Sequence, residues 1–139
     1  MKIGRTENLA ACRAIRHAVF VVEQNVPEAE EWDDLDADSI HLLASTADGT
    51  ALGTARLIQR GETGKITRVA VLKQARGTGL GAALIRESMR IFAAMPGITR
   101  LQLGAQNHAI PFYEKLGFAA YGPEYMDGGI PHHDMERAL

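Results

Sequence analysis

Between Gln74 and Ala82 the chain reads Gln-Ala-Arg-Gly-Thr-Gly-Leu-Gly-Ala, which puts three glycines and one guanidinium just ahead of a helical pattern. The first amides of a helix have no acceptor within it. Glycines let that backbone approach a ligand closely, and the helix dipole favours an anion. Arg76, Gly77, Thr78, Gly79, Leu80 and Gly81 therefore form a candidate phosphate cradle, although the same glycines would serve a tight strand-to-helix turn with no ligand. A Walker A loop is excluded, because it ends in Gly-Lys-Ser/Thr to reach phosphates and Mg²⁺, and this turn ends Leu80-Gly81-Ala82. Gly77, Gly79 and Ala82 do match the dinucleotide pattern G-x-G-x-x-G/A. That fingerprint expects a ribose-binding acid about twenty positions on and an early place in a repeated βαβ fold. The chain offers Leu103-Gly104-Ala105-Gln106 instead, so dinucleotide binding is set aside.

Other residues with chemical potential read less specifically. In the acidic run Glu28–Asp38, Asp34, Asp36 and Asp38 imitate the start of a calcium loop, but Ser39 and Ser45 stand where its glycine and final glutamate belong. The run reads as a solvated face, or as carboxylates that draw a cationic substrate to a cleft. His132 and His133 are adjacent on an expected strand and so face opposite sides, and no Cys or His cluster completes a metal site. Cys12, the lone cysteine, falls on the apolar stripe of an expected helix, which favours packing over a covalent acyl-enzyme and fits a reducing cytoplasm.

These residues need elements to position them. Glu7–Phe20 spaces Leu9, Cys12, Ile15, Val19 and Phe20 as an amphipathic helix with Thr6 as N-cap, after a short first strand. Residues 25–38 read as a loop or frayed helix. Strands are expected at 40–44 and 51–59, joined by Asp48-Gly49, and at 65–72, whose end Val69-Ala70-Val71-Leu72 is apolar enough for a central strand. A long helix comes next, with Leu80, Leu84, Ile85, Met89 and Phe92 on one face and Pro96-Gly97 as its stop. Then come a strand at 100–105, a short helix at 109–116, a strand at 118–121 and a last one at 133–139. The fold class is mixed α/β (α+β), and 139 residues leave room for one domain, residues 1–139.

Together with residues 107–118, the cradle resembles the GNAT acetyltransferases, whose pyrophosphate loop has the pattern Q/R-x-x-G-x-G/A, matched by Arg76, Gly79 and Gly81. Asn107 after the next strand and the block Tyr113-Glu114-Lys115-Leu116-Gly117-Phe118 extend the match. The segments Val19–Gln24 and Ser39–Leu42 are similar to a bacterial ElaA/YjcF-like branch. The resemblance implies a twisted mixed sheet of six to seven strands, splayed after the fourth. It implies acetyl-CoA as cosubstrate, with its pantetheine arm on the backbone of Val69, Ala70 and Val71 and its diphosphate on Arg76–Gly81. It further implies a cofactor contact at Asn107, and Tyr113 as both a cofactor contact and the group that hydrogen-bonds the departing sulfur.

On that basis the expected reaction is direct acetyl transfer from acetyl-CoA to a primary amine of a small molecule, with no metal. An ammonium must lose a proton before it attacks. Glu23 at the end of the first helix and His41 on a strand are the expected base candidates, with the residues around His132 also able to reach a cleft. A noncatalytic CoA-binding domain, an amino-sugar acetyltransferase and a peptide N-terminal acetyltransferase remain as alternatives. Fifteen basic against seventeen acidic residues give a net charge of −2, too balanced for a nucleic-acid surface. No stretch of eighteen apolar residues or signal-peptide core occurs, so a cytoplasmic protein without a membrane partner is expected. Oligomeric state, a homodimer included, stays open.

Overall fold

The computed structural model describes all 139 residues. One seven-stranded mixed sheet runs from Lys2 to Ala138. Four antiparallel strands come first: β1 (Lys2–Arg5), β2 (Ile40–Ser45), β3 (Ala51–Arg60) and β4 (Thr63–Val71). The order continues through β5 (Arg100–Gln106) to β7 (Ile130–Ala138) and ends on β6 (Ala119–Asp127). Only β4 and β5 are parallel, and they pair only over Thr63–Lys65 and Arg100–Gln102. The sheet therefore splays after its fourth strand.

Helices cover both faces. On one side α3 (Leu80–Ala93) buries Leu80, Leu84, Ile85 and Phe92 against Leu42, Leu57, Ile66 and Leu101. On the other, α1 (Leu9–Arg16) lays Ile15 against Ala70 and half-buried Leu43. Gly64 sets how closely α3 approaches β4 where the β4–β5 pair begins. A Cβ there would lie 2.7 Å from the ring of Phe92, so only glycine lets α3 press its phenylalanine onto the strand where the pair begins.

Three expectations are corrected. The N-cap of α1 is Asn8, whose Oδ1 accepts from the amide of Ala11 at 3.1 Å, while Thr6 caps one step upstream by accepting from the amide of Asn8. The first helix does not end as an α-helix at Phe20. It widens into a π-helix over His17–Glu23, with Gln24 N–H donating to the Val19 carbonyl. The β-branched run Val19, Val21 and Val22 crowds an α-turn, and the wider turn carries Glu23 and Gln24 to the edge of the splay. The acidic run is a solvated face only in part, with Glu28, Glu30, Asp34 and Asp38 exposed. It folds as α2 (Glu28–Glu31) and a 3₁₀ turn (Asp36–Asp38), in which Glu31 and Asp36 are buried.

Strand ends differ as well. β6 continues past Tyr121 through Gly122 and Pro123 by way of a register shift, and β7 begins at Ile130. No helix is long and apolar enough to cross a membrane.

Candidate active site

Beyond Lys65 and Gln102 the parted strands open a cleft of about 870 Å³. The π-helix and α2 form one wall, β5 with the β6–β7 hairpin forms the other, and α4 (Ile110–Glu114) closes the end near the cradle.

β4 carries a bulge where it enters the cleft. Two steps along β3, Thr54 to Arg56, answer three along β4, Ala70 to Thr67, and Arg68 takes up the excess at φ +50°. A non-glycine residue in the left-handed region costs roughly 1–2 kcal/mol, so something must hold it. Arg68 Nη2 donates to the Glu31 carbonyl at 3.2 Å and to Asp33 Oδ2 at 3.3 Å. Past the bulge, Leu72 N–H donates back to Leu52 of β3. Backbone groups alternate sides along a strand, so Val71 turns its own towards the splay, and its carbonyl accepts from Arg76 Nε at 3.0 Å. Val69 shares that orientation. Ala70 does not: its backbone faces β3 and its side chain packs on Ile15 and Val19.

The turn after β4 has Gly77 at φ +76° and Gly79 at φ +84°, both in the region that favours glycine. Thr78 braces it by donating its hydroxyl to the Ala75 carbonyl. The amides of Gly77 through Ala82 donate to no protein acceptor, and the first bonded amide of α3 is that of Ala83, to Gly79. This array opens where the strands diverge, with Gly81 and Arg76 on the cleft wall. Six successive free amides at a helix start suit a diphosphate through their number.

Arg76 is forked onto Glu23, at 2.6 and 2.7 Å. The hydrogen bond from Arg76 holds the Glu23 carboxyl below the usual carboxylate range. Glu23 thus stands in the cleft as the partner of the cradle arginine, with little basicity to offer.

Tyr113 projects from α4, buried edge-on between Phe112 and Phe118 with ring centroids 5.0 and 6.2 Å away. Its hydroxyl has no protein partner, and burial pushes its pKa up to about 12. Asn107 is outside the cleft lining. Its Nδ2 donates to Glu124 at 2.6 Å and its Oδ1 accepts from His133 Nδ1 at 2.8 Å, tying the end of β5 to the β6–β7 hairpin. His41 is also elsewhere. It is buried under the acidic loop, with Nε2 donating to the Asp36 carbonyl at 2.8 Å, and it lines a small separate recess beside Arg5 and Thr6.

Within the acidic run, Glu31, Asp33 and Asp36 serve internal cations. Arg16, fully buried on the stripe of α1, holds Glu31 at 2.5 Å and Asp36 at 3.0 Å, and Arg56 forks to Asp33 at 2.7 and 2.9 Å. Burial alone would raise the Asp36 carboxyl, but hydrogen bonds from Arg16 and Arg56 overcome it and hold the group well below the carboxylate range. Of this run, Glu30 and Glu31 reach the cleft, and of those two Glu30 has no ion-pair partner.

Reading the sequence placed His132 and its neighbours within reach of a cleft but missed the rest of its far half. Gln102, Gly104 and Gln106 of β5 share a face with Asp134 and His132 of β7 and with Tyr125 of β6. Tyr125 donates to Asp134 at 2.8 Å, and its hydroxyl occupies the place a Gly104 Cβ would take. Gln106 Nε2 bridges to Gln24 Oε1 at 2.8 Å across the splay. The alternation Gln102-Leu103-Gly104-Ala105-Gln106 was the available signal, since it marks a strand with one polar face.

A parted parallel pair with an anion cradle at its mouth defines the class as an acyl-CoA-type transferase, and comparison with known proteins agrees. Residues 7–139 match the family model described as an acetyltransferase (GNAT) domain. The chain is 37% identical to the uncharacterized N-acetyltransferase YjcF of Bacillus subtilis, covering 93% of this chain and 91% of that protein. It is 35% identical to ElaA of Escherichia coli, covering 94% and 88%. The crystal structure of an acyl-CoA N-acyltransferase from Pseudomonas aeruginosa superposes with a TM-score of 0.88 at 33% identity over 99% of both chains. The chain belongs to the GNAT family and is an N-acetyltransferase, in the neighbourhood of ElaA and YjcF.

Proposed function

We propose that the protein transfers the acetyl group of acetyl-CoA to a primary amine of a small molecule by direct attack within the β4–β5 splay. One observation carries the reading: the unpaired edge of β4, Arg76 and Gly81 from the turn whose amides from Gly77 to Ala82 are free, and Tyr113 with its unbonded hydroxyl all border one continuous cleft. The diphosphate lies on those amides. Arg76 exchanges its carboxylate partner for phosphate or reaches both. The pantetheine arm pairs with the backbone of Val69 and Val71, and an amide on the bulged strand receives the thioester oxygen. One such donor lowers a barrier by roughly 3 kcal/mol. Tyr113 hydrogen-bonds the sulfur as the C–S bond breaks.

The amine enters from the other end. Glu30 and Asp127 make no ion pair and Asp134 accepts only from Tyr125, so this end presents negative charge to an ammonium. Cys12, buried at 0% exposure, is out of reach as a nucleophile, which supports direct attack. The free thiol also suits the reducing cytoplasm, where we place the enzyme.

The test is thiol release from acetyl-CoA against a panel of aliphatic primary amines, with the product identified by mass. Amine-dependent release with an N-acetylated product is expected. Acetyl-CoA binding with no amine-dependent release would reduce the protein to a CoA-binding domain.

A further inference from the structure

The proton that an ammonium must lose finds no receiver in Glu23, which is forked to Arg76, or in His41, which lies outside the cleft. Resting on the amine-acceptor reading, we propose that His132 is the general base, accepting that proton at Nε2.

His132 sits on β7 opposite Gln106 on one side and Tyr125 on the other, and it lines the cleft. Its Nδ1 lies 2.7 Å from the carbonyl oxygen of Ile130. A carbonyl can only accept, so Nδ1 carries the hydrogen and the lone pair of the neutral ring is at Nε2. Nothing in the protein bonds Nε2. It is also absent from the sealed, partnerless polar atoms, which are Arg16 Nη2, His41 Nδ1 and Arg68 Nε, so it opens on the cleft. His41 has the opposite arrangement: Nε2–H is given to Asp36 and the basic Nδ1 is sealed away. Of the two buried histidines, only His132 aims a lone pair where a substrate can reach.

The ring is held in place. Tyr125 stacks on it at 5.7 Å between centroids, 24° from parallel, and is itself tied to Asp134. Asp127 of β6, Asp134 of β7 and Glu30 across the cleft would favour both the arriving ammonium and the imidazolium that forms. Lys65 and Arg68 of β4 are the cations at this end.

The protons balance. The ammonium gives one to Nε2, which returns it to solvent. The free amine forms the N–C bond, and the C–S bond then breaks with the electron pair leaving on sulfur. The nitrogen, cationic after attack, loses its second proton, which ends on the CoA sulfur as the thiol, while Tyr113 hydrogen-bonds that sulfur and keeps its own proton.

The test pairs a variant with a measurement on the unaltered protein. His132→Asn keeps an N–H near the Ile130 carbonyl and lacks a basic nitrogen. With the best aliphatic amine of the panel, kcat/KM is expected to fall about 10²-fold at pH 7, with KM for acetyl-CoA unchanged. The deficit should close as pH rises towards the amine's own pKa, where the substrate no longer needs a base. A ratio within twofold at pH 7, or a deficit that stays constant with pH, would overturn the assignment. Ring nitrogen NMR of the wild-type protein should show the Nδ1–H tautomer for His132. The Nε2–H tautomer would overturn the assignment even if the variant failed to fold. A wild type inert towards every amine would instead bring down the transfer reading, and this one with it.

Discussion

Tyr113 shows how environment sets the role of a single side chain. With its pKa pushed up to about 12 by burial and a thiol near 8.5, full proton transfer to a CoA thiolate would be uphill by on the order of 5 kcal/mol. The role proposed for the hydroxyl is therefore that of a hydrogen-bond donor, protonated throughout the working range. Tyr113→Phe should accordingly lower kcat by about 10²-fold while leaving acetyl-CoA affinity unchanged in calorimetry. The pH–rate profile should also show no alkaline fall attributable to Tyr113 below pH 10, because the folded pKa lies above the free value of about 10.

The acidic loop, at the scale of elements, is structural cement. Arg16, Arg56 and Arg68 bind Glu31, Asp33 and Asp36, and through Arg68 the loop grips the bulge of β4. Removing one partner of a buried ion pair leaves the others uncompensated, so Asp36→Ala should cost about 3–5 kcal/mol in denaturant unfolding. Asp33 and Asp36 both have depressed folded pKa values, in Asp33 because the Arg56 hydrogen bond overcomes the effect of burial. Their contribution is thus complete above the unfolded carboxylate pKa of about 3.9 and is lost as pH falls below it. Acid unfolding should begin there, and Asp36→Ala should flatten that limb. Gly64→Ala, which drives a methyl into Phe92, should cost about 1–3 kcal/mol.

The same network marks where the sequence was opaque. Periodicity could place α3, β3 and β4, because each carries a regular apolar pattern. It could not reveal that Arg16, one charge on an otherwise apolar stripe, was the buried partner of an acidic run some twenty residues on, since such pairing is long-range. Gly122 and Pro123 interrupt the β6 pattern and hid its continuation, so Tyr125 fell outside any expected strand and its place beside His132 went unseen. The glycine turn with its free amides was legible because its signal is local: positive-φ glycines and a helix start lie within a few residues of one another.

Over the whole molecule, one departure from regular pairing creates the site. β4 and β5 begin as a parallel pair and separate, leaving β4 with an unpaired edge. The π-helix, α4 and the β6–β7 hairpin supply the walls. On the proposed reading, the donor enters along that edge and the acceptor reaches it past His132. Titrating acetyl-CoA into labelled protein and following backbone amide resonances tests this arrangement most directly. Saturable shifts concentrated at Gly77–Ala82 and at Val69 and Val71 are predicted. Binding that leaves those amides unmoved and perturbs another part of the surface would contradict it.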